Sequence, residues 1–311
     1  MKHFGLFVFL LFGFCGYTQQ TDYVDFKTAK ITIGIIPDSS RVMGMVDYQF
    51  KILKPVDSIF IDAINMTFEH VSIENKTIPY SNDGKKLWLM HDFKNDSLYN
   101  VSFNYNAYPK KALYFIDWEN ENGNKQIWTQ GQGKYTSNWL PSIDDMNDKI
   151  EFDLNIRFDK HYEVIANGDL TNKKINDSTI TWHYNMHQPM SSYLVALAIG
   201  KYDKKVETAK SGTSLEMYYY PEDSLKFEPT YRFTKRMFDF LEEEIGVPYP
   251  WQNYKQVPVK DFLYAGMENT STTIFSDGFV IDSIGFIDKN YVNVNAHELA
   301  HQWFGDLVTE K

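Results

Sequence analysis

Two histidines and a glutamate near the end of the sequence have the spacing of a metal site. In "NAHELAHQWFGD", His297 and His301 stand four positions apart and Glu298 follows the first. On a helix that spacing aims both imidazoles at one point, which is how a helix offers two nitrogens to one zinc ion. Zinc held there would lower the pKa of its bound water to about 7. Glu298, on the same helix, could then take the proton as general base, and hydrolysis of an amide would follow. The plain alternative is a pair of core histidines beside a solvated carboxylate. A catalytic zinc normally has three protein ligands and one open position, so the pair leaves one ligand to be found.

A second stretch, "YAGMENTSTTIF" from Tyr264 to Phe275, lies upstream of that helix. Taken alone, Glu268 reads equally well as a carboxylate on a strand edge. Beside a zinc helix, a strand that carries Glu268 next to a flexible Gly266 reads as a substrate-binding edge. An extended peptide could pair with its backbone while Glu268 meets a positive charge.

Two kinds of element must position these residues. From about Tyr23 to Tyr202 the pattern has period two: Ile31, Ile33 and Ile35 share one face, as do Val101, Phe103 and Tyr105, and Ile150, Phe152, Leu154, Ile156 and Phe158. Turn signals at Asn82-Asp83-Gly84 and Asn167-Gly168-Asp169 separate such strands, and an antiparallel β domain of sandwich type is expected over residues 21–204. After that the character changes. A helix is expected from Pro229 to Ile245, with Tyr231, Phe238, Leu241 and Ile245 as its apolar stripe, Phe233, Met237 and Phe240 widening it, and Gly246 and Pro248 ending it. Strand-like runs "YKQVPV" and "TTIFSDGFVI" precede the histidine helix, so a second domain occupies residues 205–311.

Composition narrows the partners. With 43% hydrophobic and 23% charged residues the chain has a globular composition, and a formal net charge of −10 with no compact Lys/Arg run argues against a nucleic-acid partner. The start, "MKHFGLFVFLLFGFCGYTQQ", has Lys2, an apolar run and then small and polar residues, the outline of a secretory signal peptide over residues 1–20. An exported protein is expected, periplasmic, secreted or at the cell surface, with no transmembrane span in the mature chain. Bulky Phe14 disfavours a lipid anchor at Cys15, the single cysteine, and no disulfide is available for stability.

At "AGMEN" and "HELAHQWFGDLVT" the chain resembles the zinc aminopeptidases typified by alanyl aminopeptidase (aminopeptidase N), whose relatives include the leukotriene-epoxide hydrolase. Upstream, "TQGQGKYTSNWLPSIDDMNDKIEF" follows the family's segment in which a Gln-x-Glu or Gln-x-Gln pair precedes a proline and an acidic pair, and "YEVIANGDL" and "YLVALAIGKYD" fall where its β domain has strands. The resemblance implies an N-terminal antiparallel β-sandwich-like domain followed by the start of a thermolysin-like (gluzincin) catalytic domain. It implies one Zn2+ on His297 and His301, Glu298 activating water, and Glu268 binding the α-ammonium of peptides with a free N-terminus. Gly266 and Met267 would supply backbone contacts, Asn269 belongs to the same substrate-binding motif, and Gln132 would sit at the first residue's subsite, where many members carry Glu.

There are two departures from the family's pattern. Its motif usually opens with Gly where this chain has Ala265, which restricts φ. Its third zinc ligand is a glutamate nineteen residues after the second histidine, which would be position 320, nine beyond Lys311. The 311 residues are therefore expected to be an N-terminal fragment without useful peptidase activity. Two other readings use the same residues. A thermolysin-like endopeptidase would share the zinc helix but not need Met267-Glu268-Asn269, and a silent peptide-binding protein would not need Glu298.

Overall fold

The computed structural model describes residues 19–309, so the expected signal peptide and Cys15 lie almost wholly outside the described residues. The alternating isoleucines of Val24–Ile36 are buried, as are the alternating residues of Leu98–Ala107 and Lys149–Asp159, because in each strand one face turns to a common core. These strands belong to an eight-stranded sheet in the order Asp169–Ile175, Thr179–Ser191, Lys149–Asp159, Val24–Ile36, Arg41–Ile52, Leu98–Ala107, Thr67–Ile73 and Lys76–Thr77. A three-stranded sheet (Val56–Asp62, Lys86–Phe93, Tyr80–Asn82) and a four-stranded sheet (Glu163–Ala166, Leu197–Gly200, Gln126–Thr129, Leu113–Ile116) complete the β portion. Phe26, Tyr48, Phe50 and Phe93 interlock in its core, with Phe26 edge-on to Tyr48 at 5.4 Å between centroids.

The expectation of antiparallel pairing holds except at one seam. Val24–Ile36 runs parallel to Lys149–Asp159, with Ile31 opposite Leu154. A strand flanked by its own hairpin partner on one side has only its far edge to offer, and a strand from much later in the chain fills it.

The sheet of the second portion begins at Asp203, in the order Asp203–Thr208, Ser214–Tyr219, Asn253–Val259, Thr272–Ser276 and Gly266–Met267. Its three middle strands are parallel and both edge strands antiparallel. The expected helix is broken into α1 (Phe227–Tyr231) and α2 (Thr234–Ile245). The break lets one aromatic stripe serve two cores. Tyr231 packs toward Phe275 and Tyr291, while Phe238 packs on Tyr249 and Tyr254. Phe240 does not widen the buried stripe; it is exposed on α2's outer face. Gly246 closes α2 with φ +70°, its N–H bonded to the Glu242 carbonyl at 3.2 Å, as its position after the stripe predicts.

The two portions are joined at Gly168. Its φ is +73°, and a Cβ there would stand 2.2 Å from the Asn185 carbonyl oxygen, so only glycine fits. Its own carbonyl accepts from Asn253 Nδ2 at 3.0 Å and from the buried ammonium of Lys255. Burial lowers the Lys255 pKa to about 8. No helix of the described residues is long and apolar enough to cross a membrane.

Candidate active site

The histidine helix is α3 (Val292–His301). Leu299 and Trp303 anchor it in the core, where Trp303 Nε1 donates to the Val247 carbonyl at 3.0 Å. On its inner side Asn295 closes a buried polar triangle: its Nδ2 donates to Thr234 Oγ1 at 2.9 Å, Thr234 donates to Gln256 Oε1 at 3.1 Å, and Gln256 donates to Asn295 Oδ1. The triangle ties α3 to α2 and to the strand Asn253–Val259, and α3's other face then looks into a cleft of about 490 Å³.

His297 Nε2 and His301 Nε2 lie 3.1 Å apart with their rings at 89°. Two nitrogens bound at about 2.0–2.1 Å to one tetrahedral ion would lie about 3.3–3.4 Å apart. The observed spacing is close to that. His301 Nδ1 sits 2.9 Å from the Phe304 carbonyl, which can only accept, so Nδ1 is the donor there and Nε2 is the nitrogen turned to His297. The pair fits a borderline metal such as zinc. Among the described residues no third His, Cys, Asp or Glu completes the group.

Glu298 points across the cleft floor to Gly266. A Cβ on Gly266 would stand 2.5 Å from Glu298 Oε1, so any larger residue at 266 would displace this carboxylate from where it sits. Burial, and then the neighbouring Glu268 carboxylate, push the Glu298 pKa up to about 8.

The structure brings Gln132, Gly266, Glu268, His297, Glu298 and His301 into this one cleft. The side chains of Met267, of which only backbone contact was expected, and of Asn269 point elsewhere. Met267 is buried and its sulfur accepts from Gln130 Nε2 at 3.4 Å. Asn269 is wholly buried, and its carboxamide finds no hydrogen-bond partner among the described residues. The strand is only two residues long: it sends Met267 inward, and the turn that follows it buries the Asn269 side chain while Glu268 lines the cleft. Among the described residues the main chain of Gly266–Met267 pairs on one side only, with Thr272–Ser276, which leaves it at the edge of the sheet.

Sequence reading missed two features. The contact of Gly266 with Glu298 has no local signal, since the two are far apart in the chain. Gln302 had one: it is a polar residue on the buried side of the helix end, with no exposed surface.

Comparison with known proteins decides the lineage. Residues 22–194 match the family described as Peptidase M1 N-terminal domain, and residues 230–311 the Peptidase family M1 domain. The chain belongs to peptidase family M1. Among its M1 relatives, "Probable aminopeptidase 1" of Sulfurisphaera tokodaii is 25% identical over 268 residues, covering 85% of this chain and 33% of that protein. "Glutamyl aminopeptidase" of Homo sapiens is 27% identical over 250 residues, covering 77% and 25% respectively. "Aminopeptidase N" of Lactobacillus delbrueckii subsp. lactis is 26% identical over 272 residues, covering 81% and 31%. The chain thus spans a third or less of the length of these M1 proteins.

Proposed function

We propose that the whole protein is an exported zinc aminopeptidase that removes single residues from peptides with a free N-terminus. The observation that carries the reading is one cleft in which a carboxylate fit to hold an ammonium, Glu268, shares space with His297, Glu298 and His301. Membership of a family whose relatives bear aminopeptidase names supports it.

His297 and His301 would hold the zinc, together with a ligand outside the described residues. When bound, the zinc supplies Lewis acidity, polarising the substrate carbonyl and acidifying water. A divalent cation beside Glu298 also favours its carboxylate form against the burial that raises its pKa. Glu298 would accept a proton from water as the water oxygen adds to the carbonyl carbon, and would pass it to the amine nitrogen as the C–N bond breaks. Glu268 holds the substrate's ammonium by charge-assisted hydrogen bonds, and the sheet edge at Gly266–Met267 pairs with the peptide backbone. Gln132 lines the first residue's subsite with a neutral amide, a weaker ammonium partner than a carboxylate.

Export is proposed from the apolar leader-like start. The test of the main reading is product analysis: the full-length protein, incubated with a peptide of about ten residues and followed by mass spectrometry, should give a ladder losing one N-terminal residue at a time. Internal fragments would instead identify an endopeptidase.

A further inference from the structure

The turn that carries Glu268 is held by two buried carboxamides. Gln302, the residue directly after His301, uses its whole side chain on this turn and one tyrosine. Its Nε2 donates to the Glu268 carbonyl at 2.9 Å and more weakly to that of Asn269 at 3.5 Å. Its Oε1 accepts from the Ser271 N–H at 2.8 Å and from the Tyr249 hydroxyl at 3.2 Å. From the β portion, Asn167 Nδ2 donates to the Thr270 carbonyl at 2.6 Å, while its Oδ1 accepts from the Ala196 N–H at 2.6 Å.

The turn needs such holding. Ser271 has φ +61°, a left-handed conformation that a non-glycine residue adopts at a cost of about 1 kcal/mol or more. Left without Gln302, the Ser271 N–H and the Glu268 carbonyl would be buried and unpaired, and the turn would relax to find other partners.

Position matters here because of the chemistry proposed above, on which this inference rests. An enzyme that removes one residue must hold the ammonium a fixed distance from the metal, and Glu268 and His301 lie on separate elements. We infer that Gln302 is a positioning residue that sets this distance: it joins the residue after one zinc ligand to the backbone of the ammonium-binding glutamate. Gln302 touches neither substrate nor metal in this role, and it acts through Glu268.

The test is a double-mutant cycle in the full-length zinc enzyme, with Gln302→Met, Glu268→Gln and the pair. Steady-state kinetics on an aminoacyl amide and zinc content per chain are measured for each. Gln302→Met keeps the side chain's length and removes its four hydrogen bonds. It should raise KM about 10-fold or more with a smaller change in kcat, because ground-state ammonium binding is what is lost. Zinc content should stay at the unmodified value, and the double variant should bind no worse than Glu268→Gln alone. If Gln302→Met fails to fold, Gln302→Glu, which keeps the acceptor facing Ser271 and loses the donor to Glu268, is read the same way.

Additive losses, a fall in zinc content, or an unchanged KM in the Gln302 variant while Glu268→Gln raises it would overturn this inference alone. A Glu268→Gln variant with unchanged KM would overturn both this inference and the ammonium role in the proposed function.

Discussion

At the scale of single residues the site depends on how closely Glu298 packs against a backbone with no side chain. Gly266→Ala would drive a methyl to within 2.5 Å of Glu298 Oε1, and the carboxylate would have to move. In the full-length enzyme kcat is expected to fall at least about 10-fold with zinc content unchanged, since neither histidine is touched. A variant with unaltered kcat would show that Glu298 has no fixed place in the reaction. Glu298→Gln should go further, lowering kcat by about 10²–10⁴, the usual value of a general base. That His297, Glu298, His301 and Glu268 line one cleft was expected from the sequence because their spacing is local and their chemistry restrictive. The partnership of Gly266 with Glu298 was not, because it joins two elements whose approach is set by tertiary packing. Asn269 shows the opposite case: motif membership suggested a substrate contact, and the turn after the strand buries its side chain.

At the scale of elements, α3 is fixed by polar groups as much as by its apolar side. Asn295, Thr234 and Gln256 satisfy one another in a closed triangle without exposed surface to speak of. Asn295→Leu leaves Thr234 and Gln256 buried with lost partners, and the 311-residue chain should lose about 1–3 kcal/mol of stability in urea denaturation. An unchanged midpoint would mean that water replaces the triangle at no cost. The element's existence was readable from the i, i+4 histidines, whereas its polar anchor was not. Asn295 has the composition of a helix surface and becomes interior only when α2 and a strand close over it. The helix before it misled in a related way: its aromatic residues follow one stripe in sequence and two cores in space, so α1 and α2 separate after Tyr231.

At the scale of the whole molecule, the β portion contains a cost that pH can reveal. Asp148 is 5% exposed, its Oδ2 has no hydrogen-bond partner among the described residues, and burial, followed by the nearby Asp25 charge, pushes its pKa up to about 8. In the unfolded chain it titrates near about 3.9. Between those values the folded protein keeps a proton that the unfolded chain has released, so this residue's contribution to stability declines as pH rises through that window and is level above it. Asp148→Asn removes the titration. The variant should match the unmodified chain near pH 4 and exceed it at pH 8 by upwards of about 1 kcal/mol, the worth of one unit of pKa difference. A stability difference that does not vary with pH would contradict this. Alternation in the sequence read the β portion's strands correctly, and it could not reveal that one of them pairs in parallel with a strand from far along the chain, since alternation looks the same in either direction.

The most direct measurement of the central claim compares one peptide with its Nα-acetylated form as substrates of the full-length enzyme. If Glu268 holds an ammonium opposite the zinc helix, acetylation should lower kcat/KM by at least about 100-fold, because a buried carboxylate is left without its charged partner. Equal cleavage of the two peptides would contradict the account.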